Sequence, residues 1–148
     1  MAAHLRSRFA RSATEIKLFD GIPEMLAALT ETGILIGIVS SNSQDTIATV
    51  LGTPNMRHVA YMECGASVFG KWRRFKRLMR RMGAAQSATI AVGDETRDLD
   101  AAAKAGIVGL AVEWGYARPQ LLRSMAQGRT FQTVQELTSD LIGRAEGR

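Results

Sequence analysis

Cysteine and histidine are almost absent from this chain: Cys64 is the only thiol, and His4 and His58 are the only imidazoles. One cysteine cannot form an internal disulfide, which points to a reducing compartment, and the cytoplasm is the expected location. The two histidines stand apart from each other and from Cys64, so a zinc cluster is not expected. No apolar run approaches the length of a membrane span, and no membrane partner is expected. The sequence also lacks internal repeats, low-complexity tracts and the apolar core of a secretory signal. A large excess of one charge is lacking as well: 19 Lys and Arg stand against 14 Asp and Glu, a modest net +5 in 148 residues. With 46% apolar and 22% charged residues, the composition is that of an ordinary globular domain large enough for a real core.

What is present alternates between short apolar runs and helical patterns. Pro23 opens a helix whose apolar side is Met25, Leu26 and Leu29, and Gly33 closes it. Ile34 to Val39 reads as a buried strand. Ser40-Ser41-Asn42-Ser43 is a polar loop and helix cap, leading to a helix with Ile47, Val50 and Leu51. A turn cluster at Gly52-Thr53-Pro54-Asn55 precedes a strand over His58 to Cys64. Trp72 to Met82 is helical, Ala88 to Val92 a strand, Ala101 to Ala105 a helix closed by Gly106, and Ile107 to Glu113 a strand. Pro119 starts a short helix, and Val134, Leu137 and Leu141 mark a last one. Strands alternating with helices predict an α/β fold: a Rossmann-like parallel sheet with helices on both faces. At the N-terminus, Met1 to Ser12 carries Arg6, Arg8 and Arg11 without an acid. This faintly suggests an organelle transit peptide, but an ordinary basic helix is the preferred reading.

The polar residues with chemical potential fall at strand ends, where open α/β sheets bind ligands. In Ile90-Ala91-Val92-Gly93-Asp94-Glu95-Thr96-Arg97-Asp98, Asp94 sits where a buried strand stops and Asp98 about one turn on. Two hard oxygen ligands beside helix N-terminal amides suit Mg²⁺ and a phosphate. The plainer alternative is a strand-to-helix turn in which Asp98 only complements the helix dipole. The Ser40 hydroxyl and the amides of Ser41 and Asn42 form a candidate phosphate cradle, though each residue is also an ordinary cap. Lys71, after Phe69-Gly70, can neutralise a phosphate or simply begin a basic helix.

Taken together, these segments resemble the haloacid dehalogenase (HAD) superfamily of phosphohydrolases. Ile36-Gly37-Ile38-Val39-Ser40-Ser41-Asn42 is similar to that family's second motif. Phe69-Gly70-Lys71 is similar to the third, and Gly93-Asp94-Glu95-Thr96-Arg97-Asp98 to the fourth. Lys104-Ala105-Gly106-Ile107 and Glu113-Trp114-Gly115-Tyr116 also match segments of phosphoglycolate-phosphatase-like members. The resemblance covers about Phe19 to Leu122. It implies a Mg²⁺-dependent phosphomonoesterase acting on a small phosphorylated substrate. In that site Ser40, Ser41, Asn42 and Lys71 bind phosphoryl oxygens, Lys71 also steadies the nucleophile, and Asp94, Asp98 and Glu95 are the metal candidates.

One departure is large. The family's first motif, Asp-x-Asp-Gly-Thr at the end of an N-terminal strand, has no counterpart. Phe19-Asp20-Gly21 lacks the paired aspartate, and Glu15 and Lys17 interrupt the apolar run that should precede it, so Asp20 is not expected to be the nucleophile. Residues 1–18 then read as a remnant of a helical cap or an N-terminal extension, and 19–148 as the core domain. In the family's sheet the absent strand is central, between those equivalent to Ile34–Val39 and Ala88–Val92. Its loss would expose two edges or force them to pair. The expectation is a truncated chain, inactive or weakly active alone, that self-associates or accepts a completing N-terminal segment. The alternative is a non-catalytic domain binding a phosphorylated ligand or a partner protein. Lys71, Arg73, Arg74, Lys76, Arg77, Arg80 and Arg81 crowd one helix, which raises nucleic acid, an acidic membrane or a calmodulin-like partner. A surface helix with Trp72, Phe75, Met79 and Met82 in the core and its charges solvated is preferred, and nucleic acid is not the expected partner.

Overall fold

The computed structural model describes residues 16–67, 69–115, 117–126 and 129–147. The basic segment Met1–Ser12, and with it most of the 1–18 unit, lies outside the described residues. Six helices and five strands alternate along the rest: α1 (Ile22–Glu31), β1 (Ile36–Val39), α2 (Gln44–Met56), β2 (Val59–Glu63), α3 (Lys71–Met82), β3 (Ile90–Gly93), α4 (Thr96–Ala105), β4 (Val108–Val112), α5 (Pro119–Ala126), β5 (Thr130–Phe131) and α6 (Val134–Glu146). All strand pairs are parallel: β1 with β2, β3 with β4, and β4 with β5. This is the α/β architecture that the alternation predicts.

Side-chain size alternates along the strands and sorts the two faces of the sheet. Ile36, Ile38, Ile90, Val92, Leu110 and Val112 join one core cluster with α1, α2 and α6. The intervening positions are small, and they lie under α3, α4 and α5. Ala91 packs with Met79 and Ala102, and Ala111 with Leu99 and Leu122. A Cβ on Gly37 would run into Leu78, and one on Gly109 would press on Leu99 and Ala102. Small residues on one face let these helices approach the sheet closely, while β-branched residues fill the other.

Several boundaries differ from the sequence reading for identifiable reasons. Helix α4 starts at Thr96 rather than Ala101, because Glu95 and Asp98 form a reciprocal capping box that nucleates it early. The turn cluster at Gly52 is a kink inside one helical stretch: Gly52 adopts φ 71°, ψ 160°, and a short turn containing Pro54 follows. Gln86–Ala88 is a 3₁₀ turn, so β3 begins at Ile90. Strand β5 was not expected from sequence at all; only two residues long, it carries no periodicity.

The sheet is in two pieces. Among the described residues no strand lies between β1 and β3, and the two do not pair with each other. An apolar cavity of about 540 Å³ occupies this position, lined by both strands and by α1, α3 and α6. Of the two outcomes expected for a missing central strand, the structure shows separated edges.

Candidate active site

The C-terminal end of β1 is held by main-chain bonds and one buried cation. Ser40, 1% exposed, donates its amide to Glu63 O at 3.0 Å, continuing the β1–β2 ladder. Its Oγ accepts the Asn42 amide at 3.1 Å, and Asn42 O accepts the Gly65 amide at 2.8 Å. Ser43 then caps α2 by accepting the Thr46 amide. The Asn42 main-chain amide, expected to face a phosphate, is therefore turned onto Ser40. The Asn42 side-chain Nδ2 instead is buried with no hydrogen-bond partner among the described residues. A buried donor of this kind is costly unless something accepts from it.

At the end of β3 the groups are acidic. Asp94 and Asp98 are 1% and 3% exposed, and each packs against bare glycine backbone. A Cβ on Gly93 would overlap the Asp98 carboxylate, and a Cβ on Gly115 would overlap that of Asp94. Asp98 Oδ2 accepts the Glu95 amide at 3.2 Å, so the plain capping role is real. Its other oxygen, Oδ1, meets Lys71 Nζ at 2.5 Å, so Asp98 also does more than cap. Glu95 caps α4 and pairs with Arg97 on the surface. Asp94 lies by the N-terminus of α4, where helix amides favour negative charge.

Helix α3 links the two strand ends. Lys71, its first residue, holds Asp98 after β3. Arg74, one turn later, donates Nη1 to Ser40 O at 2.8 Å and Nη2 to Gly65 O. The solvated-charge reading of this helix is corrected at Arg74, which is 7% exposed. It is corrected in part at Arg77 and Arg81, which both reach Glu63 at 3.1 Å. Leu78 and Met79 are its buried apolar residues; Trp72, Phe75 and Met82 are only partly covered. Sequence reasoning missed Arg74 and the packing role of Gly115. The tight packing of Gly115 on Asp94 leaves no composition signal, whereas a buried arginine inside a run of basic residues is masked by its neighbours.

Cys64 sits beside this network. Burial pushes its thiol pKa above the usual value, against the pull of the nearby Arg74 guanidinium, with Glu63 adding to the rise. Asp20 lies exposed in the turn ahead of α1, with no strand before it among the described residues. It is not part of the strand-end cluster.

Asp94 and Asp98 offer the hard oxygens that Mg²⁺ selects, so the donor set fits that ion in type. It is sparse: no group of three or more acidic, histidine or cysteine side chains suited to a metal occurs among the described residues. An ion held here would keep most of its waters.

The strand ends of this parallel α/β fold thus carry a hydroxyl-bearing loop, a lysine and two buried aspartates. The chain belongs to the haloacid dehalogenase-like hydrolase family, whose pattern matches residues 1–112. It is 32% identical to the phosphoglycolate phosphatase of Synechococcus elongatus over 82% of this chain and 58% of that protein. It is 28% identical to the tyrosine-protein kinase PtkA of Mycobacterium tuberculosis over 76% of this chain and 40% of that one. The chain thus spans about three fifths or less of the length of these relatives. Its fold is shared with D,D-heptose 1,7-bisphosphate phosphatase from B. bronchiseptica, solved with magnesium and phosphate. The TM-score is 0.74 at 18% identity, covering 97% of this chain and 94% of that one. No helix among the described residues is long and apolar enough to cross a membrane.

Proposed function

We propose that this chain carries the phosphate- and Mg²⁺-binding half of a phosphomonoesterase site of the phosphoglycolate-phosphatase type, acting on a small phosphorylated substrate. The observation that carries this reading is the double anchorage of α3, with Lys71 on Asp98 and Arg74 on the Ser40 loop. It ties the donors read here as anion-binding to the carboxylates read as cation-binding. The 32% identity to a phosphoglycolate phosphatase supports the substrate class.

In this reading Ser40, Ser41 and Asn42 donate to the non-bridging phosphoryl oxygens, with the buried Asn42 Nδ2 supplying a donor that finds an acceptor only when phosphate is present. Lys71 shares its charge between Asp98 and the phosphoryl group, stabilising negative charge as it spreads over the equatorial oxygens. Mg²⁺, held by Asp94 with Asp98 or Glu95, would supply electrostatic stabilisation of the same oxygens. Hydrolysis further needs a carboxylate to attack phosphorus and an acid to protonate the leaving oxygen as the P–O ester bond breaks. None of the 148 residues matches either group in the family's first motif, so this chain alone is expected to hydrolyse phosphomonoesters slowly or not at all. Incubation of pure protein with an aryl phosphate tests this. Steady turnover that disappears in Asp94→Ala would contradict it and bring Asp20 back as nucleophile, which Asp20→Asn would then examine.

A further inference from the structure

The chain's excess of positive charge comes from one element. Helix α3 holds seven of the 19 basic residues and no acid, which leaves 12 basic against 14 acidic residues elsewhere. Four of the seven have partners: Lys71 meets Asp98, Arg74 meets two carbonyls, and Arg77 and Arg81 share Glu63. Arg73, Lys76 and Arg80 are exposed and form no ion pair among the described residues. Spaced by three and four positions, they make one stripe along the helix, on the side away from the buried Leu78 and Met79. Arg73 with Arg77 and Lys76 with Arg80 are like-charge neighbours four residues apart, which disfavours the helix. A helix needed only to cover the sheet gains nothing from them.

Aromatic rings order the stripe. The Arg73 guanidinium lies 5.5 Å from the centre of the Phe69 ring and 5.2 Å from that of Trp72, and the Lys76 ammonium 5.4 Å from Trp72. These contacts hold two of the cations in place ahead of any ligand. Phe69 itself is 69% exposed, an open ring beside the charges. We infer that this face of α3 binds single-stranded nucleic acid, with Arg73, Lys76 and Arg80 on phosphates and Phe69 stacking an unpaired base. The stripe runs roughly 10 Å along the helix axis, so each cation takes its own phosphate. A duplex offers the same charge but keeps its bases stacked on one another, out of reach of the ring. An acidic protein would use the cations and leave the ring idle, and a membrane surface calls for more apolar area than one exposed ring supplies. Sequence spacing alone makes these charges solvated and nucleic acid an unexpected partner; the placement of Arg73, Lys76, Arg80 and Phe69 reverses that expectation for this face.

Fluorescence anisotropy on the full chain tests this with an internally labelled single strand of roughly 12 nucleotides. Hydroxyls at both of its ends leave no phosphomonoester for Ser40 and Lys71, which keeps the test separate from the proposed phosphatase site. The logarithm of affinity should fall with that of salt concentration at a slope of about −2, the value for three phosphates on a single strand. Arg73→Gln, Lys76→Gln and Arg80→Gln together should bring the slope close to zero. All three side chains are exposed, and a melting temperature no lower than that of the parent shows that the fold is intact. Phe69→Ala should weaken binding about tenfold and keep the slope, since stacking is lost and no charge is. Absence of binding, binding that the triple variant retains, equal affinity for the duplex of the same sequence, or full affinity in Phe69→Ala would each overturn the proposal. Tighter binding to phosphatidylserine vesicles than to the single strand would overturn it too, and would make this face a membrane surface.

Discussion

The loop after β1 binds its polar groups to neutral or cationic partners, whereas the loop after β3 concentrates carboxylates and tempers them with a lysine. At the first, a buried guanidinium satisfies two carbonyls and leaves its positive charge beside Ser40 and Asn42. At the second, Asp94 and Asp98 are buried against bare backbone, and Lys71 offsets Asp98. One end thus carries a buried cation and the other buried carboxylates, although both are built from the same motif of strand, tight turn and helix N-terminus. α3 sends a cation to each, and what distinguishes them is that only the β3 end meets it with a carboxylate.

Removing that lysine should have the greatest consequence. Lys71→Met leaves Asp98 buried without its counter-charge, and should cost about 2–4 kcal/mol, the range for breaking a buried pair trimmed for a lysine that is 24% exposed. Chemical denaturation would show the loss. Adding Asp98→Asn should restore most of it, whereas a loss unchanged in the double variant would mean the pair is incidental. At the other end, Arg74→Met should cost about 2 kcal/mol, since two charge-assisted bonds to carbonyls disappear. Arg74→Lys should recover under half, because one ammonium does not reproduce a fork across two loops. Full recovery would show that charge alone matters there.

A smaller change separates packing from charge. Gly115→Ala places a Cβ on the Asp94 carboxylate and should destabilise by about 1–3 kcal/mol. Its effect should be confined to the β3 end, leaving the exchange rate of the Ser40 amide unaltered. The slightest change is at the surface, where Arg123 hydrogen-bonds Glu113 and holds its carboxyl below the ordinary value. A lowered carboxylate pKa adds stability that is present above the unfolded value, about 4.3, and is lost as pH falls through the folded one. Glu113→Gln should therefore narrow the difference in stability between neutral and acidic solution. An identical pH profile would show that this pair contributes nothing.

Much of this arrangement was legible in the sequence. The strand ends announced themselves because apolar runs stop at Ser40 and Gly93, and the elements between them follow from periodicity and glycine caps. Asp94 and Asp98 stood out by position, since polar groups after a buried strand lie where parallel sheets bind ligands, and Lys71 stood out by following Phe69-Gly70 at the start of a basic helix. Arg74 was not legible, since the residues around it are also basic and only three-dimensional contact separates the buried cation from solvated ones. The start of α4 was misplaced because its capping box uses the very acids read as ligands. The resemblance, whose sheet has a central strand without a counterpart here, left exposed and paired edges both open, and no local pattern decides between them.

Whether the two strand ends act as one site for phosphate and Mg²⁺ is decided by calorimetric titration of Mg²⁺ with and without inorganic phosphate. Binding reciprocity requires phosphate to raise Mg²⁺ affinity by the factor by which Mg²⁺ raises that of phosphate. A single shared site should bind Mg²⁺ weakly and gain about tenfold or more in affinity from phosphate, as expected when the anion contributes its own oxygens. Asp94→Asn should abolish Mg²⁺ binding, and Asn42→Ala should remove only the strengthening. Tight Mg²⁺ binding indifferent to both phosphate and Asp94→Asn would refute the shared site.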